Sequence, residues 1–197
     1  KLPDKYENPI DIQFLKLADI LNPVWNYLKL TPNGLTTASG AFGIASIYLI
    51  WREQYVMAAV MYLIQYLFDC FDGHYARSYG MVTEFGDCYD HVKDVIVGVG
   101  VLAMLYKKSK IPPRQFQIIV VVTLIVALLN SVHIGCQEKI FRENPNRCQI
   151  PTPTIDTLQP LCSNPHTMIK WTRYMGAGTF SLYFTILIAT WGKIKRN

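Results

Sequence analysis

Apolar residues in this chain come in long blocks rather than at alternating positions. Five blocks approach the roughly 20 residues that a helix needs to cross the hydrocarbon core of a bilayer. They cover residues 35–51, 54–68, 95–106, 115–132 and 174–191. Short polar segments separate the blocks, which predicts helical spans over about 31–51, 54–77, 83–106, 114–140 and 167–193. The pattern therefore predicts an all-α, polytopic transmembrane helical bundle.

The segment before the first block has a different pattern. Residues 10–30 mix apolar positions at helical spacing with charged residues, and Pro23 interrupts the pattern. This is typical of an amphipathic helix in the membrane interface, and a helix of a soluble cap packed on the bundle would have the same pattern. We expect an interfacial segment over 1–30 and a transmembrane domain over 31–197. Residues 1–9 have no apolar core followed by a small-residue cleavage site, so we expect no signal peptide.

Residues 141–164 contain four prolines and no helical apolar period. We expect a structured loop outside the membrane, and loops of this length are often functional. Three of the five cysteines lie around this loop: Cys136, Cys148 and Cys162. With His133 and His166 they leave a zinc cluster or a single disulfide open, but no compact C-x-x-C pattern is present, and we expect unpaired thiols. Cys70 and Cys88 fall in predicted membrane helices, where we also expect free thiols.

Composition and charge narrow the class of partner. The chain is 51% hydrophobic and carries a net charge of +5. Its Lys and Arg residues are scattered around the predicted span ends, and no basic run is interleaved with aromatic residues. We therefore expect no nucleic-acid partner. A lipid bilayer with anionic headgroups, or a phosphate-bearing ligand, explains the positive charge better.

Carboxylates at the ends of apolar spans carry the strongest functional signal, because ionisable groups at membrane depth are costly and usually functional. Asp69 and Asp72 are three residues apart, and Asp90 and Asp94 are four apart, so each pair lies on one helical face. The turn between the two predicted helices makes them antiparallel, and the faces can meet. Converging carboxylates repel one another unless a cation joins them. A ligand set of carboxylates favours Mg²⁺ or Mn²⁺, ions that commonly bridge protein to substrate phosphates.

The region that holds these carboxylates resembles a known family. Residues 69–94 are similar to the signature D-x2-D-G-x2-A-R-x8-G-x3-D-x3-D of the CDP-alcohol phosphotransferases. The eight fixed positions are Asp69, Asp72, Gly73, Ala76, Arg77, Gly86, Asp90 and Asp94. Pro32, Asn33 and Thr36 resemble the P-N-x-x-T start of the family's first span. The family usually has six spans, whereas five are evident here, and the resemblance weakens beyond about residue 106.

The resemblance implies roles for individual residues. Asp69, Asp72 and Asp90 would bind a pair of divalent ions, with Asp94 as a shared ligand or as the general base. The CDP moiety would lie against Gly73, Ala76, Arg77 and Gly86, with Asn33 and Thr36 beside the diphosphate or cytidine. The string Tyr89-Asp90-His91 resembles a stretch of the eukaryotic choline and ethanolamine phosphotransferases, which makes His91 a second candidate base. A packing role for this histidine stays open.

The resemblance implies a phospholipid-synthesis enzyme that transfers a phosphoalcohol and releases CMP. We expect CDP-diacylglycerol as donor and a polar alcohol as acceptor. The alternative is CDP-choline or CDP-ethanolamine as donor with diacylglycerol as acceptor. A cation carrier or channel, in which the carboxylates bind the transported ion, is a third reading.

Five basic residues lie near the loop and could bind an acidic acceptor such as glycerol phosphate, inositol phosphate or serine, or could simply anchor the chain at the membrane. They are Lys139, Arg142, Arg147, Lys170 and Arg173. We expect a homodimer in an internal membrane such as the endoplasmic reticulum in a eukaryote, or in the cytoplasmic membrane of a bacterium. The active site is expected to face the cytosol, although basic residues flank both faces of the predicted bundle.

Overall fold

The computed structural model describes residues 3–143 and 156–194, and these contain helices and no strand. The α-helices are α1 (Pro9–Tyr27), α2 (Pro32–Trp51), α3 (Tyr55–Ser78), α4 (Glu84–Lys107), α5 (Pro113–Arg142), α6 (Pro165–Thr172) and α7 (Ala177–Ile194). Short 3-10 turns cover Asp4–Tyr6, Gln159–Leu161 and Arg173–Met175. Half of the predicted loop, residues 144–155, lies outside the described residues.

Local sequence explains where the helices begin. The side chains of Asn8, Thr31 and Thr83 accept hydrogen bonds from backbone amides in the first turns of α1, α2 and α4. Such caps satisfy amides that have no partner within the helix. Proline stands in the first turn of α1, α2, α5 and α6, where its missing N–H costs nothing.

The sequence pattern predicts the last span as one continuous helix over 167–193, whereas the structure shows two helices there. Helix α6 ends at Thr172, a 3-10 turn follows, and α7 begins only after Gly176. A Cβ atom added to Gly176 would lie 2.8 Å from Cδ2 of His133 and 3.0 Å from Cβ of Asn8. The prediction of a continuous helix over 167–193 is therefore wrong at this point, because three segments of the chain meet around a glycine.

Within residues 3–143 and 156–194, three helices are long and apolar enough to cross a membrane: α2, α3 and α5. Apolar side chains on α5 point away from the protein, and Ile118, Leu124 and Leu128 are each more than half exposed. Exposed apolar surface of this extent is costly in water and normal against lipid. Helices α4 and α7, the other two predicted spans, pack against α2 and α3 respectively. The protein is an all-α membrane helical bundle.

Small residues let the central helices approach closely. A Cβ atom added to Gly43 of α2 would lie 2.6 Å from a methyl group of Val97 of α4. Serine hydroxyls of α2 donate hydrogen bonds to backbone carbonyls of α3, from Ser39 to Gln65 at 3.0 Å and from Ser46 to Ala58 at 2.8 Å. Close packing and interhelical hydrogen bonds of this kind stabilise helix association in lipid. They fix α3 and α4 on either side of α2.

Helix α1 packs across the end of α3. Leu15 and Ala18 are buried, and the amide of buried Asn22 donates to Nδ1 of His74 at 2.9 Å. Asp19 pairs with the other ring nitrogen of His74 at 3.0 Å. The opposite face of α1 exposes apolar side chains at helical spacing, namely Leu17, Ile20, Val24 and Tyr27. An exposed apolar face supports the predicted interfacial position, which remains a prediction.

A disulfide joins Cys136 of α5 to Cys162, just after the 3-10 turn Gln159–Leu161. Both residues are fully buried, beside Ile169. The expectation of unpaired thiols is wrong for these two residues, because α5 and the returning chain bring them together across 26 residues. Cys148 lies outside the described residues. Cys70 and Cys88 are free, as predicted.

The zinc option also fails within the described part of the chain. His133 lies 3.3 Å from the Thr172 hydroxyl, and His166 pairs with Glu143 at 2.7 Å. Cys136 and Cys162 are already linked to each other. In residues 3–143 and 156–194, no His and Cys side chains converge on a metal-sized space.

Removal of the disulfide should destabilise the protein without changing its fold. Closing a loop of this length contributes about 3 kcal/mol in the chain-entropy account. We expect the purified double variant Cys136→Ser and Cys162→Ser to unfold at a clearly lower temperature in detergent than the oxidised wild type. Cys88→Ser, a change at an exposed free cysteine, is the control and should unfold with the wild type. Equal unfolding temperatures for all three proteins would contradict the disulfide.

Candidate active site

A cavity of about 770 Å³ opens among α1, α2, α3, α4 and the end of α5. The first turn of α2, the last turns of α3 and the first turns of α4 form most of its wall. Seven of the eight signature positions line it, namely Asp69, Asp72, Gly73, Ala76, Arg77, Gly86 and Asp90. Asn33, Thr36 and His91 line it as well. Helices α3 and α4 each pack against α2, and this arrangement brings the predicted residues to one space.

Three carboxylates form the acidic centre of this cavity. Asp69 and Asp72 of α3 and Asp90 of α4 each offer an oxygen, and the three oxygens lie within 4.8 Å of one another. Asp72 is only 4% exposed, and within the described residues its Oδ2 atom is buried without a hydrogen-bond partner. An orphaned buried carboxylate oxygen is costly unless a cation or donor meets it. Three converging carboxylates with one such oxygen fit a hard divalent cation.

Lys93 is the main feature that the sequence prediction missed. Its side chain is 7% exposed, and its Nζ atom lies 2.9 Å from carboxylate oxygens of both Asp90 and Asp94 and forms a short ion pair with Asp69. The same ammonium donates a hydrogen bond to Ser39 at 3.1 Å. A lysine between the last two aspartates of the signature was a signal in the sequence, because a charged residue in an apolar span rarely lacks a partner.

Asp94 stands apart from the other signature carboxylates. Asp94 is not one of the described residues that line the cavity, and its side chain is 44% exposed. Oδ1 of Asp94 pairs with Lys93 and lies 3.5 Å from the side-chain amide of Gln65. Asp94 is therefore connected to the other signature carboxylates through its ion pair with Lys93.

Two signature glycines make room for polar side chains. A Cβ atom at Gly73 would lie 3.1 Å from a guanidinium nitrogen of Arg77, so the arginine lies across the glycine. A Cβ atom at Gly86 would lie 3.1 Å from the amide oxygen of Asn33. Substituting either glycine would crowd the cavity wall. The same wall carries the hydroxyl of Thr36, which donates to the Pro32 carbonyl at 3.1 Å.

His91 reaches the cavity from the first half of α4. Its Nδ1 atom lies 2.8 Å from the backbone carbonyl of Asp87 and 3.6 Å from that residue's carboxylate. A carbonyl oxygen only accepts hydrogen bonds, so Nδ1 carries the hydrogen, and in the neutral ring the lone pair is on Nε2. This arrangement favours the interpretation of His91 as a proton acceptor over its interpretation as a packing residue.

The basic residues proposed for an acidic acceptor are mostly engaged elsewhere. Arg142 lines the cavity, and it pairs with Glu138 at 3.0 Å and with Asp156. Lys139 donates to the carbonyl of Cys162, and Arg173 donates to the carbonyl of Lys5 at 2.6 Å. Lys170 is exposed and not on the wall that the structure describes. Arg147 lies outside the described residues.

Acidic residues from α1 and the segment before it, which the sequence prediction did not assign to the site, line the same end of the cavity. Glu7 accepts a hydrogen bond from Gln137 at 2.8 Å, and Asp11 accepts a short one from the Tyr66 hydroxyl. Burial raises the pKa of Asp11 to about 6, against the opposing effect of the Tyr66 hydrogen bond. With Glu138 these residues add acidic side chains to the cavity lining, where the basic Arg142 is also present.

Comparisons with known proteins agree with the geometry. The family model for CDP-alcohol phosphatidyltransferase matches residues 29–191. The CDP-diacylglycerol–glycerol-3-phosphate 3-phosphatidyltransferase of Rickettsia bellii is 34% identical over 87 residues, which are 41% of this chain and 46% of that protein. The protein of the same name from Rickettsia typhi is 34% identical, over 43% of this chain and 49% of its own length. The chain thus spans about half the length of the curated relatives it matches. No solved structure matches it.

Loss of one buried carboxylate should weaken metal binding strongly. We expect Asp72→Asn to weaken Mn²⁺ binding by at least about 100-fold, because removing a ligand costs more than the roughly 10- to 100-fold lost with a residue that only orients one. Titration calorimetry of the purified protein in detergent measures the effect. The matched control is Asp87→Asn, which changes an acid of α4 outside the group of three. Equal Mn²⁺ affinity in the two variants would contradict the assignment of Asp72.

Proposed function

Because the chain belongs to the CDP-alcohol phosphatidyltransferase family, we propose that it transfers a phosphatidyl group from CDP-diacylglycerol to the hydroxyl of a polar alcohol and releases CMP. One observation carries this proposal: seven signature residues from two antiparallel helices line one cavity at the end of a membrane bundle. A lipid donor can reach such a cavity from the bilayer. A soluble acceptor can reach it from the aqueous side.

We propose Mg²⁺ or Mn²⁺ as the cofactor, held by Asp69, Asp72 and Asp90. The bound cation would offset the charge of the diphosphate and of the departing CMP. The orphaned oxygen of Asp72 and the spacing of the three carboxylates support this ligand set. Asn at these positions would keep the shape of the side chain but remove the charge that attracts the ion.

The donor's polar end would bind where the signature glycines open the wall. Arg77 lies over Gly73 and would place a fixed positive charge beside a phosphate. Asn33 lies over Gly86, where its amide could hydrogen-bond the cytidine or the diphosphate. Thr36 and Ala76 complete this part of the wall. Close approach of the ligand to the two helices requires the small residues at these places.

We assign the general base to His91 in preference to Asp94. The hydrogen bond to the Asp87 carbonyl orients the ring and puts the lone pair of the neutral imidazole on Nε2. His91 lines the cavity, whereas the Asp94 carboxylate pairs with Lys93. In the proposed step the base takes the proton of the acceptor hydroxyl as its oxygen attacks the phosphorus, and CMP leaves with the electron pair of the broken P–O bond.

Glycerol 3-phosphate is the first acceptor to test, because the matched Rickettsia proteins carry it in their names. A second candidate function has its own support. Glu7, Asp11 and Glu138 add acidic side chains to the cavity lining, which suits the ammonium group of choline or ethanolamine, and His91 follows Asp90 as in the eukaryotic enzymes with those substrates. That reaction would use CDP-choline or CDP-ethanolamine as donor and diacylglycerol as acceptor.

A cation carrier is the third alternative. Transport of an ion does not explain why glycines stand where Arg77 and Asn33 reach the cavity wall.

The protein is an integral membrane protein, and we propose that its cavity faces the cytosol and that it forms a homodimer. The cysteine pair bears on the sidedness, since Cys136 and Cys162 lie near the cavity end of α5. Disulfides persist mainly in oxidising compartments. A cavity that faces the cytosol therefore implies that these two residues are reduced in the cell.

The proposed function predicts CMP release that depends on metal. We expect the purified protein in lipid with Mn²⁺ to release CMP from CDP-diacylglycerol when a polar alcohol is present, and chelation of the metal to stop it. CDP-choline and CDP-ethanolamine, each with diacylglycerol, are tested separately. Release from one of these two donors, with none from CDP-diacylglycerol, would establish the second candidate function. No release from any donor by folded, metal-bound protein would refute the transferase assignment.

Replacement of the proposed base should slow turnover without loss of metal. General base catalysis contributes about 100- to 10,000-fold, so we expect His91→Ala to lower kcat by that factor with Mn²⁺ affinity unchanged. His166→Ala, at an exposed histidine of α6, is the control and should retain wild-type kcat. A wild-type kcat for His91→Ala, together with a deep loss for Asp94→Asn, would return the role to Asp94.

A further inference from the structure

Lys93 occupies a cation position at the centre of the signature carboxylates. We propose that its ammonium takes the place of one of the two divalent ions implied by the family resemblance, so that the site binds a single Mg²⁺ or Mn²⁺. This inference rests on the proposed function, because it assumes that the carboxylates hold metal for phosphatidyl transfer. It changes the number of ions and the role of the fourth signature aspartate.

The contacts of Lys93 are those of a resident cation. Its Nζ atom pairs with three carboxylates, those of Asp69, Asp90 and Asp94. Ser39 completes the shell as a hydrogen-bond acceptor at 3.1 Å, and its own hydroxyl hydrogen goes to the Gln65 carbonyl. A buried lysine needs charge partners of this kind, since an unpaired ammonium in an apolar span is costly.

The surrounding helices are shaped for this side chain. A Cβ atom at Gly40 of α2 would lie 3.3 Å from Cγ of Lys93, so the glycine leaves room for the lysine stem. Ser39, the neighbour of Gly40, supplies the hydroxyl that meets the ammonium. Two adjacent positions of α2 thus accommodate the stem and the head of one residue of α4. Lys93 is built into the helix packing and does not merely reach toward an exposed acidic patch.

One place for a divalent ion remains after Lys93 is counted. Asp72 makes no ion pair with Lys93 among the described residues, and its Oδ2 atom is buried without a partner. Oxygens of Asp69 and Asp90 lie close enough to share an ion with Asp72. A second ion would need the Asp94 carboxylate, whose Oδ1 atom already pairs with the ammonium, and its charge would repel that ammonium at short range. Asp94 therefore acts through Lys93 as a positioning residue.

The number of bound ions tests the proposal directly. Full-length protein in detergent is titrated with Mn²⁺ by calorimetry and by electron paramagnetic resonance of free Mn²⁺. We expect one Mn²⁺ per wild-type chain. Removal of the ammonium in Lys93→Met frees Asp94, and we expect this variant to bind two ions whose spectrum shows Mn–Mn coupling. Lys93→Arg keeps the positive charge and should keep one ion.

The wild-type titration decides the question even where Lys93→Met fails to fold. Two Mn²⁺ ions per wild-type chain would overturn the proposal, and so would a folded Lys93→Met protein that still binds one. Two ions together with metal-dependent CMP release would refute the role of Lys93 and leave the proposed function standing. No Mn²⁺ binding and no CMP release by the folded wild type would refute both. Asp94→Asn offers an independent check, because a residue that acts through Lys93 should leave one Mn²⁺ bound.

Discussion

The structure depends on mutual repulsion among carboxylates that the fold forces together at the ends of two membrane helices. Two like charges 4 Å apart repel by about 4 kcal/mol at an effective dielectric near 20, and several such pairs meet here. A bundle held by close contacts of small residues cannot relieve this by opening the helices. The repulsion is relieved where a proton or a positive charge enters the group. Lys93 supplies one such charge from within the chain, and the unpartnered oxygen of Asp72 marks where another is needed.

Packing of α2 explains how the repulsion is contained. Gly43 allows α4 to approach through Val97, and Ser39 and Ser46 bind carbonyls of α3. The two helices that carry the acids are thus both fixed to a third helix that carries none at this level. Ser39 has a further part, because it also accepts from the Lys93 ammonium. One residue, Ser39, therefore contributes both to helix packing and to the balance of charge.

Local pattern predicted the helices and most of the signature residues that line the cavity, and long-range contacts account for what it missed. Spacing of three and four residues placed Asp69, Asp72 and Asp90 on facing sides of two helices, and a helical period is a property of neighbouring residues. The disulfide between Cys136 and Cys162 and the break at Gly176 each arise where distant segments meet. Periodicity along the sequence does not predict contacts between distant segments. The predicted spans agree better with the structure because each helix in lipid must satisfy its own backbone hydrogen bonds.

The positions between the fixed residues of the signature contribute further polar side chains to this part of the structure. In the proposed function, the fixed carboxylates and glycines line a cavity that would hold a diphosphate and a cation. Three residues in the gaps then modify it: His74 anchors α1 over the cavity, His91 presents a ring nitrogen to it, and Lys93 neutralises the acids. Each lies on the same helical turns as the signature, so each reaches the site without any change of fold. Positions between the fixed residues thus add polar side chains to the site from the same two helices that carry the signature.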